Sequence, residues 1–343
     1  FCDKMLSIPM VHYMATKYMI LDGARDHKQL MVMRPYQVYA TRRVIERLRA
    51  HEFGMDPLEV GYVWHTTGSG KTVSSFKTAW LASRLPNVDK VVFLVDRRAL
   101  TSQTYDNYAA YDPDTDDDNN GGVISDTRNT GDLRRRLRSS RTENNIIVTS
   151  IQKMGRLAKK MDSAIDDRNV VFIVDEAHRS TNGKLLPLIK QRFPRSAWVG
   201  YTGTPVFDKD LTHKAFGDLI HAYTIREAIA DKNVLGFQVD FEHTLSEDEI
   251  KEKLLPDLLR IKNPTLTDPE IEMRIASMTG EEVDSLVDSG IYDCNEHHVQ
   301  AVVEDVISHW NSRSVNGKYS AIFTTHVGAG KPSAPMALMY FDA

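Results

Sequence analysis

A glycine-rich octapeptide set between a strand-like run and a helix-like run constrains this chain more than any other feature. Residues 60–64 (Val-Gly-Tyr-Val-Trp) form a short, mostly apolar run of strand length. After Thr72 the apolar residues Val73, Phe76, Ala79 and Trp80 recur at helical spacing. Between them stands His65-Thr66-Thr67-Gly68-Ser69-Gly70-Lys71-Thr72. Gly68 and Gly70 accept backbone angles that other residues resist, so the loop can turn its amides inward, and the helix starting at Lys71-Thr72 offers its N-terminal N–H groups to an anion. The strict phosphate-loop pattern asks for a glycine where His65 stands; the part that touches phosphate is intact.

Two more stretches follow apolar runs in the same way. Asp175-Glu176-Ala177-His178 comes after residues 169–174, and Thr202-Gly203-Thr204-Pro205 after residues 197–201. Further runs at 90–95 and 145–149 are also apolar and β-branched or aromatic, with helical or polar sequence between them. The alternation predicts an α/β fold, a parallel sheet covered by helices on both faces. Such sheets bind ligands at the carboxyl ends of their strands, which is where all three stretches fall. The first suits the phosphates of a nucleotide, the second its Mg²⁺ and a water, and the third a report on whether the γ-phosphate is present.

Composition narrows the partners. The chain has 343 residues, 41% hydrophobic and 26% charged, enough for about two domains with a substantial core. Its longest apolar runs, such as Val170–Val174, fall far short of the ~20 residues that span a bilayer. Two cysteines, Cys2 and Cys294, make no disulfide framework, so a cytoplasmic compartment is expected. Cys294 lies near His297 and His298, but without a second ligand cluster these read as helix surface. The net charge of −4 excludes holding DNA by bulk positive charge, so any nucleic-acid contact must be a local patch. The acidic stretch 112–120 reads as a solvated loop; the basic stretch 134–141 reads as a solvated helix face or a phosphate contact.

Beyond about residue 236 the pattern changes. Residues 247–315 are charged with helical spacing, and Val299, Val302, Val303, Val306, Ile307 and Trp310 form one apolar stripe, expected to face a core. Residues 319–324 (Tyr-Ser-Ala-Ile-Phe-Thr) look like a fresh strand. The chain starts at Phe1, and a fragment of a longer protein is expected.

The string Gly61-Tyr62-Val63-Trp64 continuing into His65–Thr72 resembles the nucleotide loop of the restriction (motor and nuclease) subunit of type I restriction-modification enzymes, which carry superfamily 2 helicase-like motors. Residues 95–103, 147–153, 174–180 and 200–207 resemble further motor motifs of that family, in order. The resemblance implies the end of a preceding region over 1–30 and a RecA-like ATP-binding motor domain over 31–240. It further implies a helical linker over 241–315 and the start of a second RecA-like lobe over 316–343. It implies ATP and Mg²⁺ as cofactors. Thr67, Gly68, Ser69, Gly70 and Lys71 would bind the phosphates, Thr72 and Asp175 would hold Mg²⁺, and Glu176 would act on the attacking water.

Arg34 and Gln37, in Arg34-Pro35-Tyr36-Gln37, resemble an adenine-recognition element; a plain helix start is the alternative reading. Thr202 and Thr204 would couple nucleotide state to domain movement, and Arg97, Arg98 and Thr149 would lie near the DNA backbone. The implied partners are double-stranded DNA and the modification and specificity subunits of a restriction complex, with no membrane. The alternatives are another superfamily 2 helicase or repair ATPase, and a non-enzymatic nucleotide-binding scaffold. The family's nuclease residues have no counterpart: Glu249-Ile250-Lys251 has the acid-x-lysine form but falls in a charged helical stretch. Arginines of the second lobe are expected beyond this chain.

Overall fold

The computed structural model describes residues 7–22, 29–95, 106–111, 124–127, 129–139, 145–161, 163–165, 167–180, 185–207, 211–237, 239, 244, 246, 248, 250–286, 296–325 and 333–343. Arg97, Arg98, both cysteines, Glu249, the acidic stretch 112–120 and the end of the basic stretch lie outside the described residues. The chain divides into residues 1–236 and 237–343.

The first unit is built on seven parallel strands in the order β5-β6-β4-β7-β8-β3-β9. These are β3 (Glu59–His65), β4 (Lys90–Val95), β5 (Ile124–Asp126), β6 (Ile146–Ser150), β7 (Val170–Val174), β8 (Ser196–Thr202) and β9 (Leu219–Tyr223). An antiparallel hairpin, β1 (Met19–Asp22) with β2 (Gln29–Val32), precedes them. Side chains alternate across the sheet as a period of two requires. Val91, Phe93, Val95, Val171 and Ile173 enter one core, while Val92, Leu94, Val170, Phe172 and Val174 enter the other. Two-sided burial is why these strands are continuously apolar.

Helices α2 (Pro35–Ala50) and α3 (Lys71–Ala82) cover the first face through Ala40, Val44, Leu48, Phe76 and Ala79. The short helix α1 (Ile8–Lys17) leads into the hairpin, whose Tyr18 and Ile20 join this same core. The Lys77 ammonium donates to the Met19 carbonyl at 2.8 Å. Tyr18, Ile20 and Met33 thus share the core of the sheet's first face. The second face is covered by α4 (Thr130–Arg138), α5 (Ile151–Lys160), α6 (Leu185–Arg192) and α7 (Leu211–Phe216). A last short helix, α8 (Ile225–Ala230), follows β9.

In residues 237–343, α9 (Leu255–Lys262), α10 (Asp268–Ala276) and α11 (Gly280–Leu286) gather Ile250, Leu255, Leu259, Ile271, Ile275 and Val283 into a small core. Helices α12 (Glu296–Arg313) and α13 (Ser333–Asp342) complete the unit. Two expectations are corrected here. The α12 stripe does not face a core: only Val299 is buried, and Ile307 is 69% exposed. Residues 319–324 form no strand, because no strand lies beside them to complete a ladder among the described residues. Among the described residues no helix is long and apolar enough to cross a membrane.

Candidate active site

Because the strands are parallel, β3, β7 and β8 end at one edge, and the register sets Trp64 beside Thr202 and Val174 beside Gly200. The phosphate loop leaves β3 there. Gly68 and Gly70 both take left-handed backbone angles, with φ of +80° and +76°. A Cβ on Gly70 would also stand 2.6 Å from the Gln37 amide nitrogen, so a side chain there is strained by the backbone angle and displaces that amide. Gly70 caps α3 without any side-chain bond, leaving the first-turn N–H groups to face a ligand. Ser69 is buried, and its hydroxyl and its amide both donate to the Thr66 carbonyl, at 2.5 and 3.3 Å, which closes the turn of the loop.

The carboxylate pair follows β7. The Asp175 amide donates to the Leu94 carbonyl at 3.0 Å, and the Glu176 amide donates to Asp175 Oδ1 at 3.0 Å. Burial, then the Glu176 charge, push the Asp175 carboxyl up to about 6, while Lys71 pulls the other way. Glu176 sits at φ +47°, a left-handed conformation that costs a non-glycine residue ~1–2 kcal/mol. Its carboxylate lies 3.5 Å from His178 Nδ1, which is also 3.0 Å from the Thr202 hydroxyl. That hydroxyl accepts the Thr204 amide at 3.2 Å. Gly203 completes the cluster: a Cβ on it would be 3.2 Å from the Lys71 ammonium and 3.3 Å from the Thr67 hydroxyl. The Trp64 indole donates to the Gly203 carbonyl at 3.1 Å. All three motifs are therefore joined at one sheet edge.

The residues fit a magnesium ion that arrives with phosphate. Mg²⁺ takes one or two carboxylates and fills its shell with phosphate and water oxygens, rather than using an all-protein cage. The Asp175 carboxylate, disfavoured by burial and by the neighbouring Glu176 charge, is such a donor, and the helix that follows the loop brings the Thr72 hydroxyl as a second.

Gln37, expected at an adenine-recognition element, braces the loop. Its amide nitrogen donates to the Ser69 carbonyl at 3.0 Å and lies 3.4 Å from the Gly70 carbonyl, while its oxygen accepts the Arg34 amide at 2.8 Å. Both ends thus tie the helix start to the phosphate loop, and Arg34 itself is exposed. Thr149 is corrected: its hydroxyl is fully buried and accepts from Thr127 at 2.8 Å, so it presents nothing to a DNA phosphate. In the basic stretch, Arg135 and Arg136 pair with Asp132 at 2.5 and 3.1 Å.

Sequence reasoning missed His178 as the bridge between motifs, Trp64 as the support of Gly203, and the tyrosines Tyr36 and Tyr223. The Tyr36 hydroxyl donates to Ser69 at 2.6 Å and its ring stacks on Tyr223. The departure at His65 was the available signal: a buried imidazole in place of glycine needs a partner, and His221 supplies it at 3.0 Å.

Known proteins resemble the chain as follows. Residues 36–270 match the SWI2/SNF2 ATPase family. A type I restriction enzyme endonuclease subunit of Staphylococcus saprophyticus is 32% identical over 339 residues, covering 96% of this chain and 31% of the relative. One from Staphylococcus aureus is 36% identical over 320 residues, covering 91% of this chain and 30% of the relative. The chain thus spans less than a third of the length of these relatives. Among solved structures, the ATP-dependent type ISP restriction-modification enzyme LlaBIII bound to DNA aligns with 83% of this chain and 20% of its own, at 16% identity and a TM-score of 0.44.

Proposed function

Because the chain belongs to the SWI2/SNF2 ATPase family, we propose that it is part of the ATP-driven motor of a type I restriction endonuclease subunit, with double-stranded DNA as its track. The observation that carries this reading is the cluster at one sheet edge, where the Lys71 ammonium approaches Gly203 and the contacts of Trp64, Thr202 and His178 bring the phosphate loop to the carboxylate pair. The amides of Thr67, Gly68 and Gly70 to Thr72 cradle the phosphates, and Lys71 neutralises the charge on the β- and γ-phosphates. Thr72 and Asp175 would hold Mg²⁺, which when bound offsets charge on the phosphoryl oxygens. Glu176 orients and polarises the attacking water.

The chain Glu176, His178, Thr202, Thr204 supplies the route by which hydrolysis is felt beyond the site. Arg97 and Arg98 hold the DNA backbone, which positions without reading sequence, as translocation over any DNA requires. The modification and specificity subunits of a cytoplasmic restriction complex are the partners of the whole protein. In the full-length parent, Lys71→Ala abolishes ATP binding or turnover, while Glu176→Gln binds Mg·ATP and hydrolyses it ~10²-fold or more slowly. Hydrolysis at the parent rate by Glu176→Gln would contradict the assignment. Triplex displacement without duplex unwinding separates a translocase from a helicase.

A further inference from the structure

The phosphate loop is gripped from the β9 side by residues that belong to none of the three motifs. Tyr223 ends β9 in register with His65, and its carbonyl accepts the Thr66 amide at 3.0 Å. Its ring stacks on Tyr36 with centroids 3.6 Å apart and planes 3° from parallel. The Tyr36 hydroxyl in turn donates to the Ser69 carbonyl at 2.6 Å. In a planar trans peptide the carbonyl and the following N–H point opposite ways. Anchoring the Ser69 carbonyl inward therefore turns the Gly70 N–H outward, toward the phosphates.

Tyr223 is itself locked. Its hydroxyl donates to Asp231 Oδ2 at 2.9 Å and accepts from Asn233 Nδ2 at 2.6 Å. Both come from the turn that closes α8, where the Lys232 amide donates to Ile229 at 3.0 Å and the Asn233 amide donates to Ala228 at 2.9 Å. Lys232 holds φ +58° in the position that such helix endings usually give to glycine. A strained residue persists where surrounding bonds over-determine it. Val234 of the same turn lies 3.6 Å from where a Cβ on Gly68 would stand.

We propose that Tyr223, with Asp231 and Asn233 behind it, is a positioning residue for the phosphate loop, acting through Tyr36 on the Ser69 carbonyl and directly on the Thr66 amide. The inference rests on the reading of Gly68 to Thr72 as the phosphate cradle. Phenylalanine at either tyrosine keeps the stack and removes only the hydroxyl. In the full-length parent, Tyr36→Phe and Tyr223→Phe each raise the KM for ATP about 3- to 10-fold, the scale of one hydrogen bond, with kcat changed less than about 2-fold. The double variant is no worse than the poorer single, since both act through one contact. Thermal unfolding and Lys71→Ala are run beside them. A lowered Tm with an unchanged KM, or fully additive losses, would overturn the positioning role. Turnover surviving in Lys71→Ala would instead sink the reading of the loop itself.

Discussion

Residues 1–236 and 237–343 treat apolar surface in opposite ways. In the first unit Phe172, Trp198, Tyr201 and Phe93 are all but inaccessible, closed between a sheet and a helix layer on either face. In the second, six buried residues form one small core, while Ile307, Ile322 and Phe341 stand exposed. Hydrophobicity along the chain does not separate the two; the presence of a covering layer does. The candidate-site cluster depends on the first arrangement. Its three motifs are ends of strands whose register is fixed by cores on both sides, since a one-residue slip would turn every side chain to the wrong face.

The sharpest way to test this contrast is truncation in each unit. Phe172 stacks on Trp198 at 4.2 Å, and Phe172→Ala costs ~3–5 kcal/mol. Ile307→Ala stays within about 0.5 kcal/mol. Denaturant unfolding followed by fluorescence and circular dichroism checks both; equal losses would erase the distinction.

A second expected effect is smaller and opposite in sign. Asp175 has its carboxyl pushed from 3.8 to about 6, so the folded chain holds that proton more tightly than the unfolded one. The resulting stabilisation is full below about pH 4 and is lost as pH rises through about 6. At neutral pH the ionised group weakens the metal-free fold by about 2–3 kcal/mol. Asp175→Asn therefore raises the Tm of the metal-free protein at pH 7, with the gain fading toward pH 4, and removes Mg²⁺-dependent hydrolysis. A lower Tm at pH 7 would show that the site is not held under strain.

The smallest effects concern DNA. Charge reversal at Arg97 and Arg98 weakens binding alike on unrelated sequences and flattens the salt dependence. Reversal at Arg134 to Arg136 does less, because Arg135 and Arg136 already pair with Asp132. Titrations at several salt concentrations read both; a loss confined to one DNA sequence would contradict backbone contact.

What could be read from the sequence follows the same division. The five central strands were legible because burial on both faces writes an unbroken apolar run. β5 was not, being three residues long, nor β9, which at the sheet edge buries only Ile220 and Tyr223 and leaves Leu219 and Ala222 exposed. The run at 319–324 has a strand's composition without a strand's neighbours. In the site, the two glycines were legible because a loop at φ +80° and +76° favours residues without a Cβ, and the Asp-Glu pair because it directly follows an unbroken apolar strand. Tyr36, His178, His221 and Tyr223 were not, since their partners are distant in sequence and come together only through the fold.

Calorimetric titration of residues 1–343 with Mg·ATP tests the central claim most directly. The account predicts one binding site that is lost in Gly70→Ala, whose added Cβ meets both a left-handed backbone and Gln37, while circular dichroism shows the sheet intact. Binding that survives Gly70→Ala unchanged, or no binding by the parent chain, would contradict it.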